Sequence, residues 1–300
     1  MRRTSSLILR TCAGVVAIAC SGAPVEPTAP PQQEVSPTPS TEEQAPATAA
    51  TTREVTPDTI VRASFETTAQ GLRPGKSLLL AVHLSIHDGY RIFWKNPGEV
   101  GKRTLAHFSA PEGFEVSEVM YPKPERYRSK TGVVSYGYEG ETALFVEVRA
   151  PRGLDPQKAY RFDAQAEWFA CKKQCSGERI EAFFEMVADP QAQSGQFEAP
   201  LDSLLASVPV PISDLANAKH RWTLGGTEAT LSLSAPRVEW LDFYPETREN
   251  PRLLGVSSSA EQLTLSYEAP DTPPETVKGM AIAKVNGREA YFDVAVPWDG

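Results

Sequence analysis

The sequence predicts an all-β protein made of two sandwiches, a larger one over residues 58–190 and a smaller one over residues 212–300. Three observations carry that reading. From Ile60 onward, apolar residues recur with a period of two in short runs, the pattern of half-buried antiparallel strands. Pro, Gly, Asp and Asn separate the runs, and a single stretch, "APLDSLLASVPVP", reads as a helix. The chain has 300 residues, 41% of them hydrophobic, enough to furnish two cores.

The amino terminus is set apart. "MRRTSSLILRTCAGVVAIAC" has Arg2 and Arg3 in front, an apolar run from Ala13 to Ala19 too short to span a bilayer, and then Cys20. Residues 1–19 read as an export signal. Ala17-Ile18-Ala19-Cys20 resembles the bacterial lipoprotein cleavage box, in which Cys20 would carry the lipid; ordinary signal-peptidase cleavage is the alternative. Residues 20–57 hold no aromatic side chain and are rich in Pro, Thr, Ala, Ser, Gln and Glu. Such a stretch buries too little apolar surface to offset its ordering entropy, so it is expected to be a disordered tether. Its average reach is about 30 Å. The expected location is the periplasm, with a lipid anchor in a bacterial membrane.

In the first sandwich, "SLLLAVHLSIHDGYRIFW" offers two strands around Asp88-Gly89, and "TALFVEVRAP" offers one that Pro151 ends. "AYRFDAQAEWFA" sets Phe162, Ala164, Ala166 and Trp168 on one face. "ERIEAFFEMVADP" does the same for Ile180, Ala182, Phe184 and Met186. Residues 191–211, with the helix ended by Pro209, read as a connector. The second sandwich follows in "HRWTLGGTEATLSLSAP", "EWLDFYP", "RLLGVSSSAEQLTLSYEAP" and "KGMAIAKVNGREAYFDVAVP", where Asn286-Gly287 is a two-residue hairpin signal.

Composition excludes some functions. With 30 Lys and Arg against 38 Asp and Glu, the net charge is -8 and no basic patch stands out, so nucleic acid is not an expected partner. No Gly-rich phosphate loop, nucleophile elbow or triad context is present, and no cofactor is expected. Tyr136-Gly137-Tyr138 and Trp94 read as core aromatics when taken alone.

The chemistry concentrates in "EWFACKKQCSG". Of four cysteines, Cys12 leaves with the signal and Cys20 carries lipid, which leaves Cys171 and Cys175 in an oxidising compartment. In an extended strand, residues four apart lie about 13 Å from each other, beyond disulfide range, so the chain must turn between them. Flanking strands place that turn at a hairpin tip. A structural staple is one reading of the pair. In the chain-entropy model, closing so short a loop contributes about 2 kcal/mol, against nearly 5 for a loop of about a hundred residues. Redox chemistry is the other reading. Lys172 and Lys173 lie between the thiols, where positive charge favours the attacking thiolate. Metal is a third: on a strand His83 and His87 would stand about 13 Å apart, and two thiolates fall short of a zinc ligand set, although Cu(I) accepts two soft ligands.

The motifs "DGYRIFWKNPGEVG", "APEGF", "MYPKPERY", "VSYGYEGETAL" and "EWFACKKQCSG", in that order over residues 60–190, resemble the amino-terminal periplasmic domain of DsbD-type thiol:disulfide interchange proteins, especially the ScsB-like branch. "EWLDFYPE" and "VKGMAIAKVNGREAYFDVAVP" resemble the second sandwich of that branch. The resemblance implies an immunoglobulin-like redox domain of protein-disulfide reductase type. It places the redox cysteines at Cys171 and Cys175, one forming a mixed disulfide and the other resolving it. It implies a cap loop over about residues 124–138, with Tyr127, Tyr136 and Tyr138 as shielding residues. Ser176-Gly177 stands where the family often has a Pro. The chain also carries no polytopic membrane segment and no thioredoxin-like C-x-x-C. The expected partners are therefore separate proteins: a membrane-embedded thiol reductase and a periplasmic thioredoxin-like protein. The rival expectations are a non-enzymatic lipoprotein binding module with a structural disulfide, and a copper-handling protein.

Overall fold

Short alternating runs become strands throughout the computed structural model, which describes residues 60–249 and 251–299. The expected signal, Cys20 and the tether lie outside the described residues. The first sandwich contains, in chain order, β1 (Val61–Thr67), β2 (Ser77–Ile86), β3 (Ile92–Gly98), β4 (Leu105–Ser109), β5 (Glu115–Val116), β6 (Glu125–Arg128), β7 (Val134–Tyr138), β8 (Glu141–Arg149), β9 (Ala159–Cys171) and β10 (Cys175–Val187). They pair antiparallel in three sheets, ordered β1-β2-β8-β5, β10-β9-β4 and β3-β7-β6. The alternation in β9 is realised as expected: Phe162, Ala164, Ala166 and Trp168 are buried and face the core. In β10, Phe184 and Met186 are buried and Ile180 is half-buried against the same core.

Strands β2 and β8 are apolar on both faces for a reason the connector supplies. Leu80, Val82, Leu144 and Val146 enter the main core, while Ala81, Ala143 and Phe145 are covered from outside by Phe197 and Leu201. Leu201 opens the one α-helix among the described residues, α1 (Leu201–Leu205), so the connector is packed onto the first sandwich. A strand buried on both faces loses its period of two and reads as a continuous apolar run, as "SLLLAV" and "ALFV" do.

The second sandwich faces one four-stranded sheet against another. Its strands are β11 (Val210–Pro211), β12 (Lys219–Gly225), β13 (Glu228–Ser234), β14 (Val238–Pro245), β15 (Leu253–Ser258), β16 (Gln262–Glu268), β17 (Thr276–Val285) and β18 (Arg288–Pro297). The orders are β11-β18-β17-β14 and β12-β13-β16-β15. Strand β11, at the end of the expected connector, already pairs in parallel with β18. Asn286 and Gly287 turn β17 into β18 with φ of 53° and 79°, the left-handed values a two-residue type I′ turn requires.

The sheet containing β14 and β17 serves two cores. Along β17, Val277, Ala281 and Ala283 pack in the second sandwich, whereas Met280 and Ile282 belong to the core of the first. In β14 the register against β17 shifts between Trp240 and Asp242. The extra residue lets Trp240 and Phe243 both face the second core while Leu241 and Tyr244 both pack on the first.

Candidate redox site

Cys171 and Cys175 are joined in a disulfide with Cα atoms 4.1 Å apart, at the end of a hairpin that runs in unbroken register from Ala159↔Val187. The neighbouring strand explains how the bridge fits. The Cys171 N–H donates to the Arg91 carbonyl at 2.8 Å, and the Arg91 N–H donates back to the Cys171 carbonyl at 3.0 Å. In an antiparallel ladder both main-chain groups of a residue point the same way, so those of Cys171 point away from Cys175. The pair therefore occupies a non-hydrogen-bonded position, where Cα atoms come closest and a disulfide can cross.

The same parity directs the N–H and C=O of Cys175 outward from β9. Strand β10 is the edge of its sheet, and among the described residues no strand pairs with that outer side near the tip. At the far end the parity is visible, where the Leu72 N–H takes the outward carbonyl of Val187 at 2.9 Å. Cys175 is exposed and Cys171 half-buried. The two cysteines thus differ: one is tied into a neighbouring strand, the other stands on an open edge.

Of the two intervening lysines, Lys173 is exposed to solvent. Lys172 folds back over the preceding turn, its Nζ donating to the Asp88 carbonyl at 3.3 Å and lying 5.4 Å from the centre of the Tyr90 ring. Next to the disulfide, Gly177 sits opposite Phe169, and the Lys102 ammonium lies 4.3 Å from the centre of that ring. Farther along the strand, on its other face, burial raises the pKa of the Glu178 carboxyl.

The three tyrosines of the expected cap have separate surroundings. Tyr127 is half-buried, with the Arg91 guanidinium 3.1 Å from its ring centre. Arg91 also directs Nε and Nη2 onto one oxygen of Glu139, at 3.1 and 2.7 Å. Tyr127 therefore supports the residue that hydrogen-bonds Cys171. Tyr136 is buried between Trp94 and Tyr244, with ring centres 6.2 and 5.0 Å away. Tyr138 is buried, and its hydroxyl donates to the Pro122 carbonyl at 2.8 Å. Burial raises the phenol pKa at all three positions. Arg91 and Arg126 were not singled out in the sequence, where each is one more charged residue on a strand.

The histidines stand apart. His83, within β2, lies 3.7 Å from the Glu141 carboxylate, and His87, past the strand end, meets Tyr90 edge-on. Among the described residues no three His, Cys, Asp or Glu side chains converge as metal ligands, and no helix is long and apolar enough to cross a membrane.

Residues 60–183 match the family model described as "Thiol:disulfide interchange protein DsbD, N-terminal". Among solved structures, the N-terminal periplasmic domain of ScsB from Proteus mirabilis aligns with a TM-score of 0.55 and 15% identity, over 81% of this chain and 96% of that one. The immunoglobulin-like arrangement of the first sandwich agrees with that likeness. Two chaperone structures, DraB of E. coli and SfaE, align at TM-scores of 0.21 and 0.23 with 12% and 11% identity, over 77% of this chain and 98% of each of theirs. At those scores they bear on nothing further. No curated protein matches the chain.

Proposed function

Since residues 60–183 form a domain of the DsbD amino-terminal type, we propose that this protein is a periplasmic carrier of thiol-disulfide exchange acting through Cys171 and Cys175. It passes reducing equivalents between a separate membrane-embedded reductase and a periplasmic thioredoxin-like protein. The observation that carries the reading is the placement of the disulfide at an open hairpin tip with Cys175 exposed on an unpaired edge. A bridge that closes so short a loop contributes only about 2 kcal/mol in the chain-entropy model.

The exchange runs in two displacements. A partner thiolate attacks Sγ of Cys175; the new S–S bond forms as the old one breaks, and Cys171 leaves as a thiolate that takes up a proton. The partner's second thiolate then attacks its own sulfur in the mixed disulfide and releases Cys175. The partner dithiol ends oxidised and the Cys171/Cys175 pair reduced, a transfer of two electrons and two protons. With an oxidised target the same steps run in reverse. Cys171 is the resolving residue in this scheme, because its sulfur belongs to the half-buried partner.

Trapping in cells is the test. Cys171→Ala, which leaves Cys175 free, is expected to accumulate a covalent partner, and Cys175→Ala to accumulate far less. If neither variant traps a partner, and the pair equilibrates below about -300 mV in glutathione and dithiothreitol buffers, the bridge is a structural staple and the chain a binding module. The anchor belongs to the same proposal: lipid on Cys20 and a tether reaching about 30 Å hold the domain beside a membrane reductase. Cys20→Ala is expected to move the protein from the detergent phase to the aqueous phase.

A further inference from the structure

Two strands of the first sandwich connect Arg91, the residue that hydrogen-bonds Cys171, with the second sandwich. Strand β6 does so through adjacent residues. Tyr127 lies under Arg91, the main-chain partner of Cys171. Arg126, on the opposite side of the strand, grips the second sandwich with Nη2 2.9 Å from Oδ1 and Nη1 2.9 Å from Oδ2 of Asp242, and Nη2 also donates to the Phe243 carbonyl at 2.9 Å. Its guanidinium further lies 4.6 Å from the centre of the Tyr244 ring.

Strand β3 repeats the arrangement. Arg91, just before its first residue, holds Cys171 through two main-chain hydrogen bonds. Farther along, Lys95 pairs with Glu246, and the buried Asn96 donates to the Pro245 carbonyl at 2.7 Å. The partners of Arg126, Lys95 and Asn96 on the second sandwich lie within residues 242–246, at the end of β14 where the bulge has re-aimed the chain. Apolar packing of Leu241, Tyr244, Met280 and Ile282 into the first core makes the junction a buried one. Relative motion is the default for linked domains unless their shared surface is large and apolar, and apolar packing of this kind opposes it.

We propose that the second sandwich is a brace for the redox pair: Asp242 and Glu246 act as positioning residues that hold β3 and β6 so that Cys171 stays covered and tied to Arg91. The inference extends the carrier reading by assigning the second sandwich a part in it. It predicts an asymmetric effect, because Cys171 is bonded to the braced strand and Cys175 is not.

The experiment uses the full chain in two forms, Cys175→Ser to report on Cys171 and Cys171→Ser to report on Cys175, each with and without Asp242→Ala. Iodoacetamide alkylation is followed at the reporting cysteine by peptide mass, and circular dichroism verifies the fold. Asp242→Ala is expected to raise the Cys171 rate by about threefold or more, with the Cys175 rate changed by less than about half that factor, because only Cys171 must open locally to react. An unchanged Cys171 rate, or equal rises at both cysteines, overturns the brace. If Asp242→Ala does not fold, Glu246→Gln makes the same comparison at the second anchor. No partner protein enters the assay, so a selective rise alongside failed trapping in cells would keep the brace and remove the carrier.

Discussion

The β9–β10 and β17–β18 hairpins are both long and antiparallel, yet their tips are closed by different means. In the second sandwich, Asn286 and Gly287 make the turn with two left-handed residues and nothing else is needed. In the first, three residues separate the strands, the end pair is covalently joined, and Arg91 holds one side of it from a neighbouring strand. A hairpin of this length can therefore be closed by local turn chemistry alone. The disulfide tip, unlike the other, is held by a covalent bridge and by a residue about 80 positions away in sequence.

The comparison can be broken first at the cysteines. Replacing either Cys171 or Cys175 is expected to abolish two-electron exchange with glutathione, read by thiol trapping, and to lower stability relative to the oxidised protein by about 2 kcal/mol in urea denaturation. A loss well above that would favour the staple. Next comes the strand platform behind the redox tip. Gly137 in β7 approaches β3 so closely that a Cβ would collide with the Ile92 carbonyl. Gly137→Ala is expected to cost about 2–3 kcal/mol of stability, since backbone must shift, and to raise Cys171 alkylation, since Ile92 follows Arg91.

Gly287→Ala tests the other tip. Its φ of 79° suits glycine, so the alanine variant is expected to lose about 1–2 kcal/mol in the same denaturation while exchange at the disulfide stays unchanged. The smallest effect is expected at Glu178. Burial raises its carboxyl pKa in the folded protein, so the folded state favours the protonated form. That preference costs nothing below the unfolded pKa, where both states are protonated, and stability falls as pH rises through the folded pKa. Glu178→Gln is therefore expected to be slightly more stable than the parent at neutral pH and equal to it in acid. A variant that is no more stable at neutral pH contradicts this.

Much of the fold was legible because local pattern and burial agree. The alternation of β9, the turns at Asp88-Gly89 and Asn286-Gly287, and the short helix before Pro209 all express forces acting over a few residues. The hairpin tip was legible for the same reason, since two cysteines four apart can bridge only across a turn. What stayed hidden depends on partners distant in sequence. Arg126, Lys95 and Asn96 read as ordinary polar strand residues, and nothing near them signals Asp242, Glu246 or Pro245 more than a hundred positions on. The bulge in "EWLDFYP" was invisible as well, because one extra residue disturbs the period without adding a sequence mark of its own.

The two main-chain bonds from Arg91 to Cys171 bear on the dithiol state. When the bridge is reduced, Cys171 remains a fixed post within the sheet, while Cys175 keeps only its pairing along β9. Only one of the two sulfurs then searches for the other. A search confined to one short arm keeps the effective concentration of the second thiol high, as a short tether does for any intramolecular encounter. In the carrier proposed above, this confinement would favour re-closure of the bridge and would keep a resolving thiol close to a mixed disulfide on Cys175.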